Sequence, residues 1–420
     1  MPQLHKKFSD SQVREFFEKY LKKEVLGSYI REILGVCKSR FFVLLNNYRK
    51  DPANFSIQYN RKTATRAIPA EVEQNIIKEL SFEKGLIENK SIPLKCYNYS
   101  YVKDQLEQKH KQKVSLPTII NRAKKNNFFL HRQKRKVHDR EVLTNYAGEL
   151  IQHDSSVHKC SPYASDKWYL ITSLDDYSRF ILYAVLFERE TSWTHISAVE
   201  SVFLKYGLPM SYYVDCHSIF RFVQGRDSVW REHNLVTDEA NPQWKQVLTD
   251  CNVKVTYALS AQAKGKIERP YHWLQDRIVR TCARENVSEI KQGQHILNQE
   301  LHRYNYQQVH STTLEVPYFR FKNALNSNKS FFRPFAIKPP FVSTKDIFCL
   351  RLQRTTDAYR KVSINNLQFR VDANPHQDVE LRISPLNSTV SEVRIWWKNK
   401  LVGVQNIKSA DLNLESTFKV

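Results

Sequence analysis

Glycine is scarce in this chain, at nine residues in 420. No G-x-G-x-x-G or P-loop pattern occurs, which excludes a glycine-rich nucleotide cradle. The seven cysteines are scattered at 37, 96, 160, 216, 251, 282 and 349, with no C-x-x-C pair and no zinc spacing. An odd, dispersed set fits reduced thiols in a cytosol. His153, His158 and Cys160 lie close together, but their spacing matches no standard metal site. No apolar run approaches the ~18 residues of a membrane span, and the opening MPQLHKKFSDSQ lacks an apolar signal core. A cytoplasmic protein with no membrane partner is expected.

Positive charge is what the chain has in excess. The formal net charge is +22 and the sequence pI is near 9.6. Such a surplus favours a polyanionic partner, and nucleic acid is the default. At 41% hydrophobic and 12% aromatic residues, the composition is that of a folded chain. Its length suggests several domains.

Residues 8–50 read as three helices. Ser9 and Asp10 are cap candidates before the amphipathic Val13, Phe16, Phe17, Tyr20 and Leu21. Gly35 permits the turn between the second and third helices. Ile30, Ile33, Leu34, Val36, Phe42 and Leu45 are expected to hold those two together. Lys38, Ser39 and Arg40 then stand at the exposed start of the last helix, where a helix-turn-helix meets bases and phosphates. An ordinary helical bundle is the alternative.

Residues 53–67 read as a linker, leaving 1–52 as the first unit. A second helical DNA-binding unit, helix-turn-helix or winged-helix-like, is expected over 68–140. Ser115 caps its helix from Leu116 to Lys125, with Pro117 in the first turn. Ile119, Ile120 and Ala123 can face inward while Thr118, Asn121, Arg122, Lys124 and Lys125 face out. A basic run with Arg132, Lys134, Arg135 and Lys136 follows. From Lys103 to Arg140 there are 12 Lys/Arg against 3 Asp/Glu, a density that binds phosphate largely without regard to sequence.

Composition then changes. Over 141–325 the pattern is three strands, helix, strand, helix, strand, helix, with further helices trailing. It predicts an α/β core with a mixed sheet. Trp168 to Leu174 and Phe180 to Phe187 form a hairpin around Asp175 and Asp176. Asp154 and Asp215 are expected just after strands. Residues 216–242 read as an irregular insertion. In the stretch SAQAKGKIERPYHWLQDRI, from Ser260 to Ile278, Ile267, Tyr271, Leu274, Ile278 and Cys282 share one helical face. Glu268 is one residue, about 100°, from that face, at a rim beside Lys264, Lys266 and Arg269. Pro270 is awkward inside a helix: either the helix starts late, with Pro270 in its first turn, or it kinks there. After a linker at 326–340, residues 341–420 alternate in short strands and predict a small β-barrel or sandwich. Trp396 and Trp397 suit its core better than an exposed stacking surface.

Asp154, Asp215 and Glu268 belong together, because neighbouring strand ends and the helix fed by the last strand bring such residues into one pocket. Three close carboxylates raise one another's pKa unless cations neutralise them. Two Mg²⁺ ions suit such oxygen ligands, one activating a water or a 3′-hydroxyl and the other steadying the leaving oxygen.

The chain here resembles the DDE transposases of bacterial insertion sequences, with a retroviral-integrase-like, RNase H-like core. The residues that carry the resemblance are Gln152-His153-Asp154-Ser155-Ser156, Leu174-Asp175-Asp176-Tyr177-Ser178-Arg179, Val214-Asp215-Cys216-His217-Ser218-Ile219-Phe220, and Ser260 to Arg269. The resemblance implies that Asp154, Asp215 and Glu268 hold the metals, with Mn²⁺ able to replace Mg²⁺. It implies that Lys264, Lys266 and Arg269 lie along the DNA. It also implies two N-terminal helix-turn-helix units that read inverted repeats, and a C-terminal β-domain. Asp215 and Glu268 stand 53 positions apart, more than integrases usually show, and the 216–242 insertion accounts for the excess. The His/His/Cys/Cys zinc module of retroviral integrases is absent from the sequence.

The expected activity is cleavage of element ends and transfer of their 3′-hydroxyls into target DNA. The expected partners are double-stranded DNA and further copies of the chain assembled on it, in a bacterial, nucleoid-associated setting. Two other functions compete: a domesticated, non-catalytic DNA-binding regulator, and a host nuclease or resolvase acting on DNA structures.

Overall fold

The computed structural model describes residues 4–58, 68–130, 143–215, 219–220, 242–258, 265–364, 367–412 and 414. The chain divides into two compact units, Met1–Gln74 and Asn75–Val420.

The first unit is built on helices α1 (Asp10–Leu21), α2 (Gly27–Leu34) and α3 (Lys38–Lys50). Ser9 starts α1 with a reciprocal cap: its hydroxyl accepts the Gln12 N–H, and Gln12 Oε1 accepts the Ser9 N–H. Gly35, at φ 62°, ends α2 in the left-handed conformation that favours glycine. Val13, Phe17, Ile30, Leu34, Phe41, Leu44, Leu45 and Tyr48 form the core. Two expected core residues, Ile33 and Phe42, are exposed instead. One residue turns a helix by about 100°, so Phe41 takes the inward place expected of Phe42. Phe55 and Ile57, in the stretch read as linker, are buried in this core. Arg14 donates to the Phe55 carbonyl at 2.6 Å, and Asp10 accepts the Ile57 N–H at 2.8 Å.

The second unit, which takes α4 (Ala70–Glu88) from Asn75 onward, has α5 (Tyr99–Lys109) and α6 (Leu116–Lys125) before a five-stranded sheet. Its strands are β1 (Ile151–His158), β2 (Trp168–Asp175), β3 (Ile181–Phe187), β4 (Ser211–Val214) and β5 (Lys254–Tyr257), in spatial order β3-β2-β1-β4-β5. β1, β2 and β3 form an antiparallel meander, and β4 and β5 run parallel to β1. The mixed sheet agrees with expectation. One face packs on α7 (Ser192–Tyr206), with Ile171 and Phe187 against Ala198. Leu170, Leu174 and Leu186 on the other face pack on α9 (Gly265–Arg284) and α10 (Ile290–Tyr306). This division follows the two-residue alternation of strand side chains.

Short helices α8 (Gln243–Asp250) and α11 (Pro317–Asn326) complete the core. The following segment, read as linker, is tied down. The Ala147 N–H donates to the Lys329 carbonyl, the Phe331 N–H donates to the Ala147 carbonyl, and Leu208 and Arg333 exchange two backbone hydrogen bonds. Gly148 (φ 72°) and Gly207 (φ 95°) give it room: a Cβ on the first would lie 2.6 Å from the Phe332 ring, and one on the second would strike the Arg333 carbonyl.

The C-terminal part is all-β as expected, but it is not a closed barrel. Strands β6 (Leu350–Thr355), β9 (Asp378–Pro385), β10 (Val390–Trp397) and β11 (Lys400–Lys408) form an open sheet of order β11-β10-β9-β6. β7 (Lys361–Ile364) and β8 (Leu367–Arg370) pair only with each other, so among the described residues no ladder joins the two edges. β6, with the sequence LRLQRT, carries a cation at an inward position. Arg351 is buried there and pairs with Asp250 of α8 at 2.5 Å. Trp396 is a core residue, its indole N–H donated to buried Asp346 at 3.1 Å. Among the described residues no helix is long and apolar enough to cross a membrane.

Candidate active site

Asp154 lies inside β1 rather than after it. β1 pairs with β2 along its whole length, from Ile151↔Asp175 to His158↔Trp168, but with β4 only at Ile151↔Tyr212 and Gln152↔Tyr213. β4 ends at Val214, so β1 runs on past its neighbour and Asp154 sits half-buried beside the vacated edge. Counting the parallel register on by two positions brings Asp215 abreast of Asp154. Residues abreast in parallel strands face the same side of the sheet, on strands about 4.8 Å apart. Asp215 is half-buried as well.

That side is the one α9 covers. The Tyr271 hydroxyl donates to the Asp154 main-chain carbonyl, and Gln275 Nε2 donates to Ser156 Oγ at 2.6 Å. Burial pushes the Tyr271 phenol well above its ordinary pKa, and the Asp154 carboxylate adds to that push. Glu268 precedes Tyr271 by three residues, about 4.5 Å along the axis. The helix begins at Gly265 and continues through Pro270, so it does not start late. Pro270 is the sixth residue of the helix, so it lies inside it and removes the N–H that would bond the carbonyl of residue 266. Tyr271, Leu274, Ile278 and Cys282 are buried as the periodicity predicts.

The side chains of Lys266 and Glu268, and all of Lys264, lie outside the described residues. So do Arg132, Lys134, Arg135 and Lys136. Arg269 is exposed, with Nη1 3.5 Å from Thr312 Oγ1. Lys38, Ser39 and Arg40 are exposed in the first turn of α3. On α6, Asn121, Lys124 and Lys125 are exposed, Thr118 and Arg122 half-buried, and Ile119 and Ala123 fully buried. Ser115 caps that helix by accepting the Thr118 N–H.

The neighbouring acids Asp175 and Asp176 are fully buried structural residues. Asp175 accepts the Ser178 N–H and hydroxyl and the Gly148 N–H. Burial pushes its carboxyl up to about 6 against the pull of those donors. Asp176 pairs with Arg179 at 2.9 Å and accepts from Gln152 and Thr144. His153 points to the opposite face from Asp154. Its ring nitrogens meet Ser173 Oγ at 2.9 Å and His195 Nδ1 at 2.8 Å, and its ring stacks on Trp244. Those bonds occupy it within the core, apart from His158 and Cys160.

Sequence reasoning placed Tyr271 in the core but missed its bond to β1, and it missed the burial of Arg277 and Arg280 on the same helix. A signal existed: arginines at 277, 280 and 284 recur at helical spacing, as do Glu79 and Glu83 on α4.

No family model matches the chain. It is 26% identical over 243 residues to a putative transposase, y4bF, of Sinorhizobium fredii, covering 58% of this chain and 48% of the relative. It is 25% identical over 282 residues to the transposase for insertion sequence IS1202 of Streptococcus pneumoniae, covering 61% and 59%. The chain thus spans about half the length of the curated relatives it matches. Among solved structures it is similar to a chain of the simian T-cell lymphotropic virus intasome in complex with PP2A regulatory subunit B56 gamma, at 16% identity and TM-score 0.32, covering 69% of this chain and 92% of that one. It is also similar to the HTLV-2 integrase catalytic core solved with magnesium, at 16% identity and TM-score 0.31, covering 43% and 99%.

Proposed function

We propose, from the chain's similarity to transposases of insertion sequences, that it breaks DNA at the ends of a mobile element and joins the freed 3′-hydroxyls to target DNA. The observation that carries this reading is the register of β1 and β4 beneath α9. Carried two positions past its last pair, Gln152↔Tyr213, that register would bring Asp215 abreast of Asp154 on the face covered by the helix that bears Glu268. Two carboxylates on adjacent strands repel, and that repulsion favours a divalent cation between them. The residues fit such a group: all are hard oxygen donors, half-buried where described, at an edge β4 leaves open. Asp154, Asp215 and Glu268 would hold Mg²⁺, or Mn²⁺ in its place. When bound, the metal supplies an activated nucleophile and charge neutralisation at the leaving oxygen.

The chain's own residues do the rest. Tyr271 and Gln275 hold α9 against β1, which limits how far Glu268 can drift from Asp154. Asn121, Lys124, Lys125 and the basic run after them would track one stretch of duplex, with Lys264, Lys266 and Arg269 along another. Lys38, Ser39 and Arg40 would enter a groove as the first turn of a helix-turn-helix recognition helix. The core would be RNase H-like. Joining two ends needs at least two active sites, so copies of the chain would assemble on DNA, in the bacterial cytoplasm at the nucleoid.

The deciding experiment is strand transfer on the DNA that flanks this gene, with Mg²⁺ or Mn²⁺, for wild type beside Glu268→Gln. Product should vanish in the variant while DNA binding persists. Undiminished product would refute the site. Wild-type binding without breakage would leave a DNA-binding regulator instead.

A further inference from the structure

The second half of α9 is charged yet buried. Arg277 and Arg280 are 1% and 0% exposed. Their partners come from helices far away in the chain. Arg280 meets Glu83 of α4, and also Asp276 at 3.0 Å and the Cys96 carbonyl at 2.6 Å. Arg277 meets Asp104 of α5 at 2.7 Å and Glu300 of α10 at 3.4 Å. Arg284 meets Glu79 of α4 at 2.7 Å. Arg303 of α10 shares Asp104 at 2.8 Å. Tyr101 of α5 and Thr281 complete the seam with a 2.9 Å hydroxyl pair.

Buried ion pairs are a poor way to gain stability, because desolvation offsets most of the attraction. They do set register. Sliding α9 by one turn, about 5.4 Å, would set every arginine against the wrong acid, whereas an apolar seam tolerates such a slip. The seam is also stiff at its far side: Tyr99, which opens α5, donates to the Phe128 carbonyl just past α6 at 2.8 Å. At its near side α9 continues to Tyr271 and Gln275 on β1. One helix therefore touches α4 and α5 with its second half and the β1 carboxylate strand with its first.

We propose that Glu83, Asp104, Arg277 and Arg280 are positioning residues that fix the register of α9, so that duplex DNA held on α6 reaches Asp154 of β1 and Asp215 just past β4 at one set offset. This rests on the proposed function for its consequence, though not for its mechanics. The four side chains touch no DNA. They act through α9.

The test uses the full chain, with Glu83→Ala, Asp104→Ala and the conservative Asp104→Glu. Asp104→Ala is the milder variant, since Arg277 and Arg303 keep Glu300, and it serves if Glu83→Ala fails to fold. The first readout is hydrogen exchange in residues 277–283, all of them buried and so out of reach of direct shielding by DNA, with and without a random-sequence duplex. In wild type the duplex should slow exchange in both α6 and this segment. In the alanine variants it should slow α6 alone. The second readout is DNA breakage. Turnover of bound DNA should fall about tenfold in the alanine variants, with DNA affinity nearly unchanged, and Asp104→Glu should recover most of it. An α9 indifferent to DNA in wild type, or variants that couple as wild type does, would overturn the proposal. If wild type breaks no DNA, the proposed function fails, and the exchange measurement alone still decides whether the seam couples α6 to α9.

Discussion

The hydroxyl of Tyr271 donates to the main-chain carbonyl of Asp154, 117 residues earlier in the chain. This bond joins α9 to the part of β1 that β4 leaves uncovered. Tyr271→Phe removes the donor and leaves a buried carbonyl without it. The variant should lose about 1–3 kcal/mol of stability in urea titrations. Breakage of DNA should fall more than DNA binding, since the bond spans the two elements that carry Asp154 and Glu268.

Gly207 offers a test of the segment after α11. An added methyl there would strike the Arg333 carbonyl, at a φ of 95° that side chains rarely adopt. Gly207→Ala should cost about 1–3 kcal/mol, read as a lower thermal midpoint. Gly85→Ala meets nothing within 4 Å and should leave the midpoint nearly unchanged or raised, because the site is inside helix α4.

Asp175 should give stability a slope with pH. Its folded pKa is about 6, above the ~3.9 of an unfolded aspartate. Between those values the folded state binds more protons than the unfolded one, so this group's contribution falls as pH rises from about 4 to about 6. Asp175→Asn removes that slope. The variant's stability relative to wild type should therefore improve as pH rises through this window, by about 1.4 kcal/mol per unit of displaced pKa. Denaturant titrations at both ends of the window measure it. A difference that does not change with pH would contradict the assignment.

DNA binding should be salt-dependent, and α6 should contribute. Lys124 and Lys125 are exposed at its C-terminal end. If each meets one phosphate, removing both flattens the plot of log affinity against log salt by about one unit per lysine. The loss should be alike for all duplex sequences. A change in sequence preference with an unchanged slope would mean that these lysines read bases instead.

The apolar stripe of α9, the β2–β3 hairpin, the capped starts of α1 and α6 and the basic surplus were all legible in the residues. Each is a local pattern: a period of 3.6 or 2, or a cap within one turn. The three acids could be named because each sits in a distinctive short motif. What could not be read was whom a buried charge meets. Glu83 and Arg280 are 197 positions apart, and Arg351 and Asp250 are 101 apart. Local pattern records that a face is apolar, but not which distant cation lets an acid lie inside.

Residue pattern alone thus determined the kinds of element, most of the inward faces and the excess of positive charge, because these follow from side-chain chemistry over a few neighbouring positions. Only the tertiary structure decided that Asp154 lies within a strand, that β4 stops short beside it, that α9 runs through Pro270, and that the last strands stay open. Those depend on strand order and helix register, which are set by contacts between segments tens to hundreds of residues apart.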